Sequence, residues 1–150
     1  DKNPKFFKAL CKFCKYEGIS YKEIGFTQED LNQIYYLNEN NYCFRNVTSL
    51  DELQYFNNLE RMEPYCFNNC IKLKSVIFPK NLKKIEYGTF GYCTSLQKII
   101  FSENIQSIEK FSFACCENVK KIVIPKRFKN NIHDIFYNVN LKKVKKITYI

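Results

Sequence analysis

Apolar residues along this chain recur on a fixed beat. Leu73, Val76, Phe78, Leu82, Ile85, Phe90 and Cys93 are followed by Leu96, Ile99, Phe101, Ile105, Ile108, Phe113 and Cys116, each 23 residues after its counterpart. Within each unit the leading stretch has the form L-x-x-L-x-L, which predicts a strand whose successive side chains alternate sides. By that alternation Leu73, Val76 and Phe78 point inward, while Ser75 and Ile77 face the other side. A second short apolar pair, Leu82 with Ile85 and then Ile105 with Ile108, predicts a second strand on an opposite sheet. Units of this size cannot bury an apolar face alone, so they must stack.

The beat extends both ways. Leu50, Leu53, Tyr55, Leu59, Met62, Phe67 and Cys70 fall on the same interior slots one period earlier, and Val119, Ile122, Ile124, Phe128, Phe136 and Val139 one period later, with Pro125 in the slot of Pro79. A fragment, Phe44-Arg-Asn-Val47, precedes them. A last partial unit opens at Leu141-Lys-Lys-Val144, one residue early, which sets Lys146 on the interior slot of Phe78. Three readable repeats with two partial ends suffice to bury a continuous core. The expected fold is a β-rich leucine-rich-repeat solenoid of stacked units with short strands.

The pattern L-x-x-I-x-I-P-x-x-L-x-x-I-x-x-x-x-F-x-x-C, carried from about Phe44 onward, resembles the BspA-like leucine-rich repeat family. The small residue before Phe is Thr89 and Ser112 in the central units but Cys66 and Ile135 outside them. Val139 replaces the recurring cysteine, and Asn131 stands where Ile85 and Ile108 stand, so residues 129–140 are marked as irregular. The resemblance implies protein binding, often in adhesion at the cell surface.

Residues 1–43 read differently, as a helical N-terminal cap on a solenoid spanning residues 44–150. Phe6, Phe7, Leu10, Phe13 and Cys14 share one helical face, with Asn3 as N-cap, Pro4 at the first helical position and Gly18 beyond the end. Thr27-Gln-Glu-Asp30 has the form of a capping box and predicts a second helix burying Leu31, Ile34, Tyr35 and Leu37, broken by Asn38 to Asn41.

Stacking turns repeat positions into columns. On the concave side these are Glu52, Ser75, Lys98 and Lys121 beside Gln54, Ile77, Ile100 and Val123; on the opposite sheet they are Arg61, Lys84 and Ser107. The candidate binding residues are therefore Ser75, Ile77, Lys98, Ile100, Lys121 and Val123. The apolar column has two readings, β-propensity on a tightly stacked surface or a contact stripe.

Eight cysteines in 150 residues suggest a disulfide framework until they are placed. Cys70, Cys93 and Cys116 share one slot and point the same way into the core, where parallel side chains favour packing over bridging. Reduced thiols place the chain in the cytoplasm, with the cell surface as the alternative that the resemblance implies. No run approaches the roughly 18 apolar residues of a membrane span.

Little here carries chemistry. His133 is the single histidine, next to Asp134, and no Ser or Cys sits in a nucleophile motif beside it. Cys11-x-x-Cys14 has ligand spacing but lacks the partner pair that zinc requires, and Cys115 and Cys116 are adjacent on an expected strand, so they face opposite ways. No catalytic residue, metal site or cofactor is expected. Asn46-Val-Thr48 is a glycosylation sequon that matters only in a secreted chain.

Charge adds a second function class. The net charge is +9, and residues 119–150 hold nine Lys or Arg against Asp134 alone, so nearly all the excess lies there. Lys120, Lys121, Lys142, Lys143 and Lys145 are candidate contacts for nucleic acid, anionic lipid or an acidic protein. Equally, an unpaired sheet edge at the C-terminal end makes self-association there possible, and lysines are residues that blunt such an edge. The sequence thus describes a non-enzymatic interaction module with an unidentified protein partner, serving adhesion or scaffolding, or alternatively a polyanion binder.

Overall fold

The computed structural model describes residues 3–21, 25–38 and 44–150. Helix α1 runs Pro4–Glu17; the Asn3 side chain accepts from the Phe6 amide at its start, and Gly18, at φ 68°, closes its end. Nine short strands follow among the described residues: β1 Tyr36–Leu37, β2 Ser49–Leu50, β3 Arg61–Met62, β4 Ser75–Ile77, β5 Lys84–Ile85, β6 Lys98–Ile100, β7 Ser107–Ile108, β8 Lys121–Ile124 and β9 Lys146–Tyr149. They form two parallel sheets, β1-β3-β5-β7 and β2-β4-β6-β8-β9. From β1 to β8 the strands alternate between the two sheets, as the paired apolar stretches predict.

The 23-residue beat holds through the centre, where Ser75 pairs with Lys98 and Lys98 with Lys121, and on the other sheet Arg61 with Lys84 and Lys84 with Ser107. Between the sheets runs a file of rings. Phe44, Phe67, Phe90, Phe113 and Phe136 follow one another at centroid distances of 5.3, 5.0, 5.0 and 5.2 Å. Phe78 and Phe101 stack at 5.1 Å beside them. The turns are stacked as well, with the Phe67 amide donating to the Thr89 carbonyl and the Phe90 amide to the Ser112 carbonyl.

The register departs from the beat at both ends. In the first unit Ser49 pairs with Ser75 and Leu50 with Val76, so the strand arrives three residues early. Residues Asp51–Tyr55 then form a 3-10 turn, which leaves Tyr55 exposed rather than interior. Glu52 and Gln54 therefore do not belong to the expected columns; Ser49 and Asp51 take their places. At the other end Lys121 pairs with Lys146 and Ile122 with Ile147, because the 3-10 turn Leu141–Lys143 adds two residues where one was expected lost. Lys146 consequently faces outward, and Ile147 and Tyr149 pack against the core.

Two further differences have physical causes. After β8 a 3-10 turn, Lys126–Asn131, and a short helix α3, Ile132–Ile135, stand where another strand of the smaller sheet would fall. Asn131 cannot occupy an apolar slot and is exposed, so Phe128, Ile132 and Ile135 fill the space. Helix α2 covers only Gln28–Leu31; its capping box is present, with Asp30 accepting from the Thr27 amide at 2.7 Å, but Tyr36 and Leu37 pair with β3 instead of extending it. Asn38 is buried, and residues 39–41 of the expected break lie outside the described ones. The segment 1–43 thus lends one strand to the solenoid, while Phe6 and Phe13 of α1 meet Phe44 at 6.2 and 6.0 Å.

Candidate binding surfaces

The outward face of the five-stranded sheet carries two columns. One holds Ser49, Ser75, Lys98, Lys121 and Lys146; the other holds Ile77, Ile100, Val123 and Thr148. All six residues predicted for this face, Ser75, Ile77, Lys98, Ile100, Lys121 and Val123, are half-buried and lie side by side on neighbouring strands. Two of them are engaged within the chain. Ser75 Oγ donates to Ser49 Oγ at 3.0 Å, and Lys98 Nζ reaches Asp51 Oδ2 at 2.9 Å. The sequence could not show that pair, because it depends on the shifted register that brings Asp51 onto this face. The start of α1 borders the same region, with Asn3 Nδ2 donating to Glu52 Oε2 at 3.1 Å and to the Ser49 carbonyl at 3.2 Å.

The basic residues gather on the last turns. Lys142, Lys143, Lys145 and Lys146 are exposed, as is Lys120, whereas Lys121 is half-buried in the outward column. Lys120 Nζ donates to Gln97 Oε1 at 3.4 Å. On the smaller sheet, Lys84 lies 3.1 Å from Glu86 and 3.5 Å from Glu109, and the bond to Glu86 raises its pKa above the ordinary lysine value.

The cysteine ladder is built as the slot predicts, with Cys70, Cys93 and Cys116 buried. All seven described cysteines are free thiols. Burial pushes Cys70 up to about 12 and Cys93 well above its ordinary value. Cys14 is likewise pushed up to about 12 by burial, with Cys11 and Asp30 adding to the effect. Among the described residues no group of His, Cys, Asp and Glu is arranged to hold a metal ion. His133 is exposed on α3.

A third surface was not anticipated. Along the flank formed by the turns, Tyr65, Tyr87, Phe111 and Tyr137 meet edge to face at 5.7, 5.4 and 4.7 Å. With Tyr92 they line a groove of about 220 Å³. Tyr65, Tyr92 and Tyr137 are 46%, 53% and 54% exposed. Tyr65, Tyr92, Phe111 and Cys115 all adopt left-handed backbone, with φ between 59° and 62°, a conformation costly for bulky side chains. The repeat requires it, since Gly88 occupies the slot of Tyr65 and Phe111 at φ 64°. A Cβ on Gly88 would lie 2.5 Å from the Tyr65 ring, so glycine is what lets that ring lie across the turn. The available signal was the 23-residue spacing of Tyr65, Gly88 and Phe111, hidden because three different residue types share one slot.

Parallel strands on two sheets, a ring file between them and in-register surface columns define a leucine-rich-repeat solenoid. The chain belongs to the BspA-type leucine-rich repeat region family, whose sequence model matches six copies over residues 38–149. No curated protein and no solved structure matches it. Families of this kind are typically non-enzymatic interaction modules. No helix among the described residues is long and apolar enough to cross a membrane.

Proposed function

We propose that this chain is a non-enzymatic protein-binding module that holds its partner on the outward face of the five-stranded sheet. The observation that carries the reading is the in-register column of Ile77, Ile100 and Val123, half-exposed between Ser75, Lys98 and Lys121. Apolar side chains in line on a rigid surface, with a polar border, have the make-up of an interface core and rim. Scaffolding inside the cell fits the free thiols; adhesion at the cell surface is the alternative that family membership supports. The test is a photo-crosslinking residue at Ile100 in the source cells, with Ile77→Ser/Val123→Ser as the control. A partner captured through position 100, surviving high salt and lost in the double variant, supports the reading. A partner indifferent to the double variant overturns it.

A second reading, polyanion binding, is favoured by the exposure of Lys120, Lys142, Lys143 and Lys145 near one end, with Lys121 beside them. Such binding is electrostatic and would fall steeply with salt.

A further inference from the structure

We propose that the tyrosine-lined flank groove binds neutral oligosaccharides, independently of any protein held on the sheet face. Four features of the groove define the ligand. Its walls are rings, from Tyr65, Tyr87, Tyr92, Phe111 and Tyr137, and its floor is opened by Gly88 and Gly91. A Cβ on Gly91 would meet Asn68 Nδ2 at 2.7 Å, as one on Gly88 would meet the Tyr65 ring, so both glycines clear space for groove side chains. No ionisable carboxylate, ammonium or guanidinium lines it, in a chain of net charge +9. Among the described residues, none of the four phenol hydroxyls has a hydrogen-bond partner within the chain.

Such a lining excludes other occupants. An added peptide strand needs free backbone groups, yet here the Tyr65 amide donates to the Tyr87 carbonyl, the Tyr92 amide to Ala114 and the Cys115 amide to Tyr137. An anion finds no counter-charge in the lining. A pyranose matches what remains: apolar C–H faces that lie on aromatic rings, and a rim of hydroxyls that phenol and amide groups can bond.

Positive φ recurs at these turn positions whatever the residue, at Tyr65, Gly88 and Phe111 and at Asn69, Tyr92, Cys115 and Asn138, so it belongs to the repeat, and the rings are what is particular to this flank. They recur in adjacent turns, so the groove runs along the solenoid and suits a chain of sugars more than a single ring.

The test uses the protein's own emission, since it has eleven Tyr and no Trp. Cellotetraose, maltotetraose and N-acetylchitotetraose are titrated separately, with a neutral Leu/Phe-rich peptide and tetramethylammonium alongside. At least one tetrasaccharide should give a saturable change in the millimolar range. The variant Tyr65→Gly/Tyr92→Gly/Tyr137→Ala should weaken it about tenfold or more, as loss of three ring contacts implies, while retaining its unfolding midpoint. Should that variant unfold, Tyr92→Phe/Tyr137→Phe keeps the rings, removes two hydroxyls and should still weaken binding. Failure of all three tetrasaccharides, a response unchanged by the ring variant, or saturable binding of the peptide or the cation instead would overturn the proposal.

Discussion

Cys93 donates its thiol hydrogen to the backbone carbonyl of Phe67, 3.2 Å away in the preceding turn. Cys116 does the same to Phe90 at 3.2 Å, and Cys70 to Phe44 at 3.7 Å. The repeating cysteine is therefore more than a small apolar filler: it ties each turn to the ring of the one before. In the outer turns Val47 and Val139 stand in this slot, so the position tolerates a residue with no donor.

Thiol labelling separates the cysteines by place. Cys11 and Cys115 are half-exposed, whereas Cys14, Cys66, Cys70, Cys93 and Cys116 are buried. In the folded protein a thiol reagent should modify Cys11 and Cys115 first, because burial opposes formation of the reactive thiolate. Mass spectrometry after timed alkylation reads the order. Early modification of Cys93 would show that the ladder opens far below global unfolding.

Stability should decline at alkaline pH. Cys14 and Cys70 are each raised from 9.0 to about 12 in the folded chain, with burial the largest cause. The unfolded chain therefore loses these protons first as pH rises, so their contribution is complete below pH 9 and is lost progressively toward pH 12. Denaturant midpoints across that window should fall, and Cys70→Val should flatten the decline. An identical slope in the variant would remove Cys70 from the account.

The ring file carries the core. Phe90 lies 5.0 Å from both Phe67 and Phe113, parallel to the latter within the angle resolved. Truncating Phe90 or Phe113 to Ala should cost about 3–5 kcal/mol by lost burial and the cavity left behind. Chemical denaturation measures it. A variant with the parent's midpoint would place the ring outside the packed file.

How far the sequence could be read depends on where one looks. From Arg61 to Ile124 the apolar beat and the strand register coincide, because every turn there has the same length. At the ends local pattern misled. Leu50, Leu53 and Tyr55 imitate the leading stretch of a unit, yet backbone pairing wins and Asp51–Tyr55 coils into a 3-10 turn. Leu141-Lys-Lys-Val144 imitates it again, yet with Lys146 paired to Lys121 it is Val144, not Leu141, that falls in the slot of Val119. The six sheet-face residues were legible because alternation alone assigns a side. The Asp51–Lys98 pair was not, since it arises from the register shift, and the tyrosine flank was not, since its shared property is a backbone angle.

That pair complicates any test of the sheet face. Lys98 Nζ sits 2.9 Å from Asp51 Oδ2, and Asp51 Oδ1 is buried without a hydrogen bond among the described residues. Lys98→Ala should cost about 1–3 kcal/mol by leaving the carboxylate unpaired, whereas Lys98→Ala/Asp51→Ala should recover much of that. Denaturation of both variants checks it. A double variant no better than the single would deny the coupling.

The end of the larger sheet offers the last test, and it separates charge as a binding feature from charge as protection. Strand β9 is the last strand of this sheet among the described residues and is paired with β8. Lys146 lies in its outward column and Lys145 just before it, both exposed. An open strand edge invites pairing with a second copy, and lysines are a common deterrent because they would be brought together and desolvated. If protection is their role, Lys145→Thr/Lys146→Val should raise self-association, read by light scattering at rising concentration. If the residues serve polyanion binding instead, the same variant should stay monodisperse. Lys142→Glu/Lys143→Glu/Lys145→Glu should then abolish binding to heparin or single-stranded DNA at low salt. Each outcome removes one role, because edge pairing depends on backbone hydrogen bonds and polyanion binding on counterion release. Sequence-selective nucleic-acid binding that survives physiological salt would instead move the protein out of the protein-binding class.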